Sequence, residues 1–118
     1  MTTPEPRAES VNLPAIAEEL LAEAHTAATG RAARTVHSGE GLLRQTVMAL
    51  IAGAELGEHT SPPEAILQVL TGQIRLRSAT QHWDLAAGDL LPIPPERHAV
   101  TARADSAFLL TVRRNPTT

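Results

Sequence analysis

The sequence predicts a small all-β domain preceded by one short α-helix, and three observations predict it. The chain has 118 residues, which suits one domain with a single modest core and leaves little room for a second. Its hydrophobic period changes near Gly30, from the spacing of a helix to that of strands. Beyond Gly30, about eight short apolar runs alternate with glycine- and proline-containing turns, which is the pattern of a sandwich or barrel.

Residues 1–11 hold Pro4, Pro6 and polar neighbours, too little apolar surface to offset the entropy of ordering, and are expected to be a disordered tail. Residues 12–30 form the helical segment. Asn12 can cap it, Pro14 fits its first turn, and Ile16, Leu20, Leu21 and Ala24 recur on one face, so a helix is expected over 13–28. Glu18, Glu19 and Glu23 make its solvated face. Residues 31–114 are the β domain and 115–118 a second short tail. Strands are expected at 34–37, 44–51, 65–70, 73–77, 82–85, 90–93, 98–103 and 107–112. The clearest alternation is at 73–77, where Ile74 and Leu76 face inward and Arg75 and Arg77 face water. That run is read as an edge or outer-sheet strand. Its unpaired backbone, together with the helix's apolar stripe, leads to the expectation of a homodimer.

Composition excludes several function classes. The hydrophobic fraction is 42% and the charged fraction 19%, which is ordinary for a globular chain. No apolar run approaches the roughly 18 residues of a membrane span, so no membrane partner is expected. All ten basic residues are Arg, and the net charge is −3, which argues against a nucleic-acid partner. With one Trp, one Phe and no Tyr, stacking platforms for bases are missing as well. With no cysteine, disulfides, thiolate metal sites and cysteine nucleophiles are excluded. No secretory signal is visible at the N-terminus, and a cytoplasmic location is expected.

Two glycine–histidine constellations carry the chemistry. In the first, Gly53 is followed after five residues by His59, then Ser61, Glu64, Gln68 and a closing Gly72. In the second, Gly88 precedes Pro94 and His98. In this order and within this strand pattern they resemble the two motifs of the cupin superfamily, over roughly residues 40–113. The resemblance implies a jelly-roll β-barrel of about eight antiparallel strands with a short N-terminal helix. It also implies an interior pocket for a small-molecule ligand. The superfamily hosts isomerases, oxygenases, cyclases, lyases, binding proteins and sensors, and the fold does not choose among them.

The superfamily's metal set is three His and one Glu, and this chain departs from it. Ser61 stands where a second histidine would be, and a neutral hydroxyl is a poor ligand. Counting back from Gly72 puts Ala65 at the acid position, with Glu64 one residue early and therefore on the opposite face of a regular strand. A bulge after Pro62 and Pro63 would turn Glu64 inward, and Gln68, of the same parity, with it. Glu96 replaces a motif glycine. The metal-ligand candidates are thus His59, His98, Gln68 and Glu64, with Glu64 also the candidate catalytic base. Imidazole with carboxylate suits Zn, Fe, Mn, Ni or Cu. No organic cofactor is evident.

Two functions follow as expectations. One is a metal-assisted isomerase, cyclase or oxygenase type of enzyme, and the other a metal-free binding or sensor module whose two histidines are satisfied by hydrogen bonds. The remaining polar residues read as structural. Asp89 after Gly88 fixes a turn. Glu58 faces solvent, and His25, His37 and His82 are surface or turn residues. Arg97 stands at the pocket rim, and Met48 and Trp83 fill the core.

Overall fold

The computed structural model describes residues 9–59 and 64–114, with His59 described by its backbone alone. The tails at 1–8 and 115–118, and Ser61, Pro62 and Pro63, lie outside the described residues. Helix α1 spans Leu13–Thr26, and its N-terminus is capped by the Asn12 side chain, whose Oδ1 accepts from the Ala15 N–H at 2.9 Å. It ends two residues before the expected boundary. Ala27 turns to an extended conformation while its N–H still bonds the Glu23 and Ala24 carbonyls.

Nine strands follow: β1 Arg31–Ser38, β2 Leu43–Leu50, β3 Glu55–His59, β4 Glu64–Thr71, β5 Gln73–Ser78, β6 His82–Ala86, β7 Leu90–Pro92, β8 His98–Ala102 and β9 Ser106–Arg113. They form two antiparallel sheets, a five-stranded one in the order β1-β2-β9-β4-β7 and a four-stranded one in the order β3-β8-β5-β6. Among the described residues no pairing joins the two sheets, so the expected jelly roll is two facing sheets and not a hydrogen-bonded closed barrel.

Three layers result. Ala17, Leu20 and Ala24 of α1 pack on Val47, Ala49, Ala107 and Leu109 of the five-stranded sheet. The opposite face of that sheet carries Leu50, Leu67, Val69 and Phe108, which meet Ile74, Leu76, Val100 and Ala102 of the four-stranded sheet. Ile74 and Leu76 are buried, while Arg75 and Arg77 on the outer face pair with Asp84 and Glu55. Met48 and Trp83 are partly buried against the inner core, as expected.

The expectation for 73–77 is corrected in one respect. Strand β5 lies inside its sheet, between β8 and β6, so its backbone is paired on both sides. The helix stripe is likewise covered by the chain's own sheet. Neither surface on which the homodimer expectation rested is open.

Two contacts tie the layers together. Gly72, in the β4–β5 turn, has φ +87°, and a Cβ there would collide with the Asp105 carbonyl oxygen and the Ser106 hydroxyl. That hydroxyl is buried, accepts the Gln73 N–H at 2.9 Å, and lies within bonding distance of the Gln73 and Ala104 carbonyls. Asp105, in the β8–β9 turn, accepts the Ala52 N–H at 2.9 Å and holds His25 of α1 at 2.6 Å. The Ala52 N–H, and after it His25, keep the Asp105 carboxyl below the usual carboxylate range.

Gly72→Ala is expected to cost about 2–4 kcal/mol in urea denaturation, combining left-handed backbone strain with overpacking against backbone. A second expectation concerns acid. Because folding lowers the pKa of Asp105, its stabilisation is present above the unfolded value of about 3.9 and is lost as pH falls through the folded value. The stability difference between the wild type and Asp105→Asn should therefore shrink in acid melts below about pH 4; a constant difference would refute this assignment.

Candidate functional site

The two inner faces do not fill the space between them. A cavity of about 360 Å³ opens there, with Met48, Leu67, Phe108 and Leu110 on the wall from the five-stranded sheet. Leu56, His98 and Val100 line it from the four-stranded sheet, and Ile93 and Arg31 also contribute. The wall is apolar apart from the imidazole and the guanidinium, which is the pattern of a small-molecule pocket.

His98 opens β8 and is only 2% exposed. Its Nδ1 lies 2.9 Å from the Glu96 carbonyl oxygen. A carbonyl can only accept, so Nδ1 carries the proton, and in the neutral ring Nε2 holds the lone pair. His59, the last residue of β3, pairs in register with His98. The two residues of β3 between Leu56 and His59, Gly57 and Glu58, are matched against one of β8, Ala99, a bulge that brings the two histidines opposite each other. Directly opposed residues of an antiparallel pair have Cα atoms about 4.5–5.5 Å apart.

Glu64 and Gln68 are not brought to the cavity, which corrects their expected placement. Strand β4 pairs with β9 without a shift from Glu64 to Val69, so the bulge that would turn them inward is absent there. Ala65, Leu67 and Val69 take the inner positions. Glu64 and Gln68 are exposed on the other face, and the Glu64 carboxylate lies 3.1 Å from Arg113 Nε. The physical cause is the two-residue period: one face of β4 must be apolar throughout to pack against the second sheet.

Among the described residues, no group of three or more His, Asp or Glu side chains could hold a metal ion. Even if both residues of the His59–His98 register pair were ligands, they would supply two donors, fewer than the three protein ligands of a catalytic zinc site. Glu58, His37, His82 and Arg97 are exposed. The Asp89 Oδ2 accepts the Ala86 N–H at 2.9 Å and fixes the turn at Gly88. Sequence reasoning missed Arg31. The available signal was its parity, since Arg31 shares the inner row of β1 with Ala33 and pairs with the buried Leu50.

No protein-family model matches the chain, and no curated protein does. Solved structures do match. A conserved protein of unknown function from Streptococcus pyogenes is 24% identical, with a TM-score of 0.73 over 96% of this chain and 93% of that one. A cupin superfamily protein from Desulfitobacterium hafniense is 15% identical, with a TM-score of 0.66 over 72% of this chain and 78% of that one. A salicylate 1,2-dioxygenase variant from Pseudoaminobacter salicylatoxidans is 19% identical, with a TM-score of 0.69 over 82% of this chain and 32% of that one.

The two classes of candidate residue should separate in mutagenesis. His98→Ala removes a buried imidazole and strips the Glu96 carbonyl of its donor, and is expected to cost about 1–3 kcal/mol by chemical denaturation. Glu64→Gln and Gln68→Ala, on the solvated face, should stay within about 1 kcal/mol of wild type. Equal losses at all three positions would contradict the inward and outward assignment.

Proposed function

We propose that this chain, which has the cupin fold, binds a small organic molecule in the cavity between its sheets. The observation that carries this reading is the combination of an apolar hollow of about 360 Å³ with a buried imidazole in its wall. Cavities for drug-sized ligands run from about 300 to 1,000 Å³, so this one suits a compact ligand, such as a single ring or short chain. Burial of the ligand's apolar surface supplies the affinity, at roughly 25 cal/mol per Å² before association costs are subtracted. The imidazole orients whatever polar atom the ligand carries. No helix of the described residues is long and apolar enough to cross a membrane.

One observation favours a second reading, in which a divalent ion is bound and the protein is a metal-assisted enzyme. It is the register that opposes His59 to His98. A divalent Zn, Fe, Mn, Ni or Cu ion held by that pair would supply Lewis acidity to an oxygen of the bound molecule. Two imidazoles without a carboxylate do not complete such a site. The isomerase, cyclase and oxygenase chemistries stay with this second reading.

A thermal-shift screen of small aromatic and aliphatic compounds tests the first reading. A ligand at one hundred times its Kd is expected to add about 2.7 kcal/mol of stability. Leu110→Trp, which fills the cavity, should abolish that gain while preserving cooperative melting. The second reading is tested by elemental analysis and metal titration of wild type, His59→Ala and His98→Ala. If a metal is held by this pair, each substitution should remove most of the affinity. Absence of a histidine-dependent shift with every divalent ion leaves the metal-free pocket standing.

A further inference from the structure

We infer that Arg31 is an anion anchor in this cavity and that the ligand is a small organic acid, an apolar body ending in one carboxylate. The inference rests on the cavity being the binding site. Arg31 opens β1 on the inner side of its sheet and contributes to the same lining as His98, Met48 and Phe108. Its Nη1 donates to the Glu55 backbone carbonyl at 3.3 Å, so the side chain reaches across to β3 at the margin of the other sheet. No carboxylate among the described residues lies within ion-pairing distance of it. Glu55, whose backbone carbonyl Arg31 bonds, has its carboxylate committed elsewhere, with Oε1 2.6 Å from Arg77 Nη2 on the outer face.

A guanidinium carries five N–H donors in a planar fork, and one long bond to a carbonyl leaves most of them for a ligand. Beside an apolar wall the charge is poorly screened, which favours an anion over a neutral polar group. A carboxylate, planar with two acceptor oxygens, matches the fork in bidentate geometry. A phosphate dianion would ask for more positive charge than one guanidinium supplies. The apolar lining then takes the rest of the molecule.

The test pairs acids with amides of the same shape: benzoate with benzamide, and hexanoate with hexanamide. Affinities are measured by calorimetry near neutral pH on chelator-treated protein, so that a bound metal cannot hold the carboxylate. The acid is expected to bind about tenfold or more tightly than its amide. Arg31→Gln should bring the acid down to the amide's affinity with amide binding unchanged, and Arg31→Lys should keep part of the preference. If Arg31→Gln does not fold, the wild-type pairs and Arg31→Lys still decide. Equal affinity for acid and amide in the wild type overturns the inference and leaves the cavity reading intact. So does a preference that survives Arg31→Gln, one that Arg31→Lys leaves at full strength where Arg31→Gln does not fold, or one present only before chelation. If neither member of any pair binds, the cavity reading fails, and the inference with it.

Discussion

Strands β2 and β9 are buried on both faces for part of their length, and this constraint governs the rest of the molecule. Val47, Ala49, Ala107 and Leu109 face helix α1, while Leu50, Phe108 and Leu67 face the second sheet. With apolar sets on both sides, a one-residue slip would exchange small helix-facing residues for large core-facing ones. Ala49 and Ala107 let α1 approach closely, and Phe108 is too large to take their place. The register is thus specified by volume as well as by polarity. The same register decides which side chains reach the cavity.

Charge follows the same division. The ion pairs among described residues, such as Arg34 with Glu19, Arg75 with Asp84 and Arg113 with Glu64, lie on outer surfaces. Exposed pairs of this kind contribute little stability. The Arg75 side chain holds the Asp84 carboxyl below its ordinary range, an effect of a local hydrogen bond at the surface. Inside, the polar complement of the cavity is one imidazole and one guanidinium against an apolar wall. Few polar groups in a mostly hydrophobic hollow favour recognition of a ligand with one polar end.

Much of this was legible in the sequence, for local reasons. The change of period at Gly30, the Asn12 cap, the turn made by Asp89 and the inward parity of Ile74 and Leu76 are short-range signals, and each appears as read. What escaped depends on distant partners. Strand β3 is short and broken by a bulge at Gly57, so it shows no clean alternation. The interior position of β5 is a matter of strand order, which no local window contains. Glu64 and Gln68 followed from assuming a bulge where β4 pairs regularly with β9, so their unmodified parity was the better guide. Arg31 belongs to no motif and gains its role only because β1 and β3 face each other across the cavity.

The central claim is that a ligand enters the space between the two sheets. The chain has two methionines, and Met48 lines that space, so methyl-labelled methionine gives a direct probe by NMR. On titration with a compound that raises the melting temperature, the Met48 methyl signal should shift and saturate at the same midpoint as the thermal stabilisation. A Met48 signal that stays in place while the protein is being stabilised would put the ligand elsewhere and contradict the account.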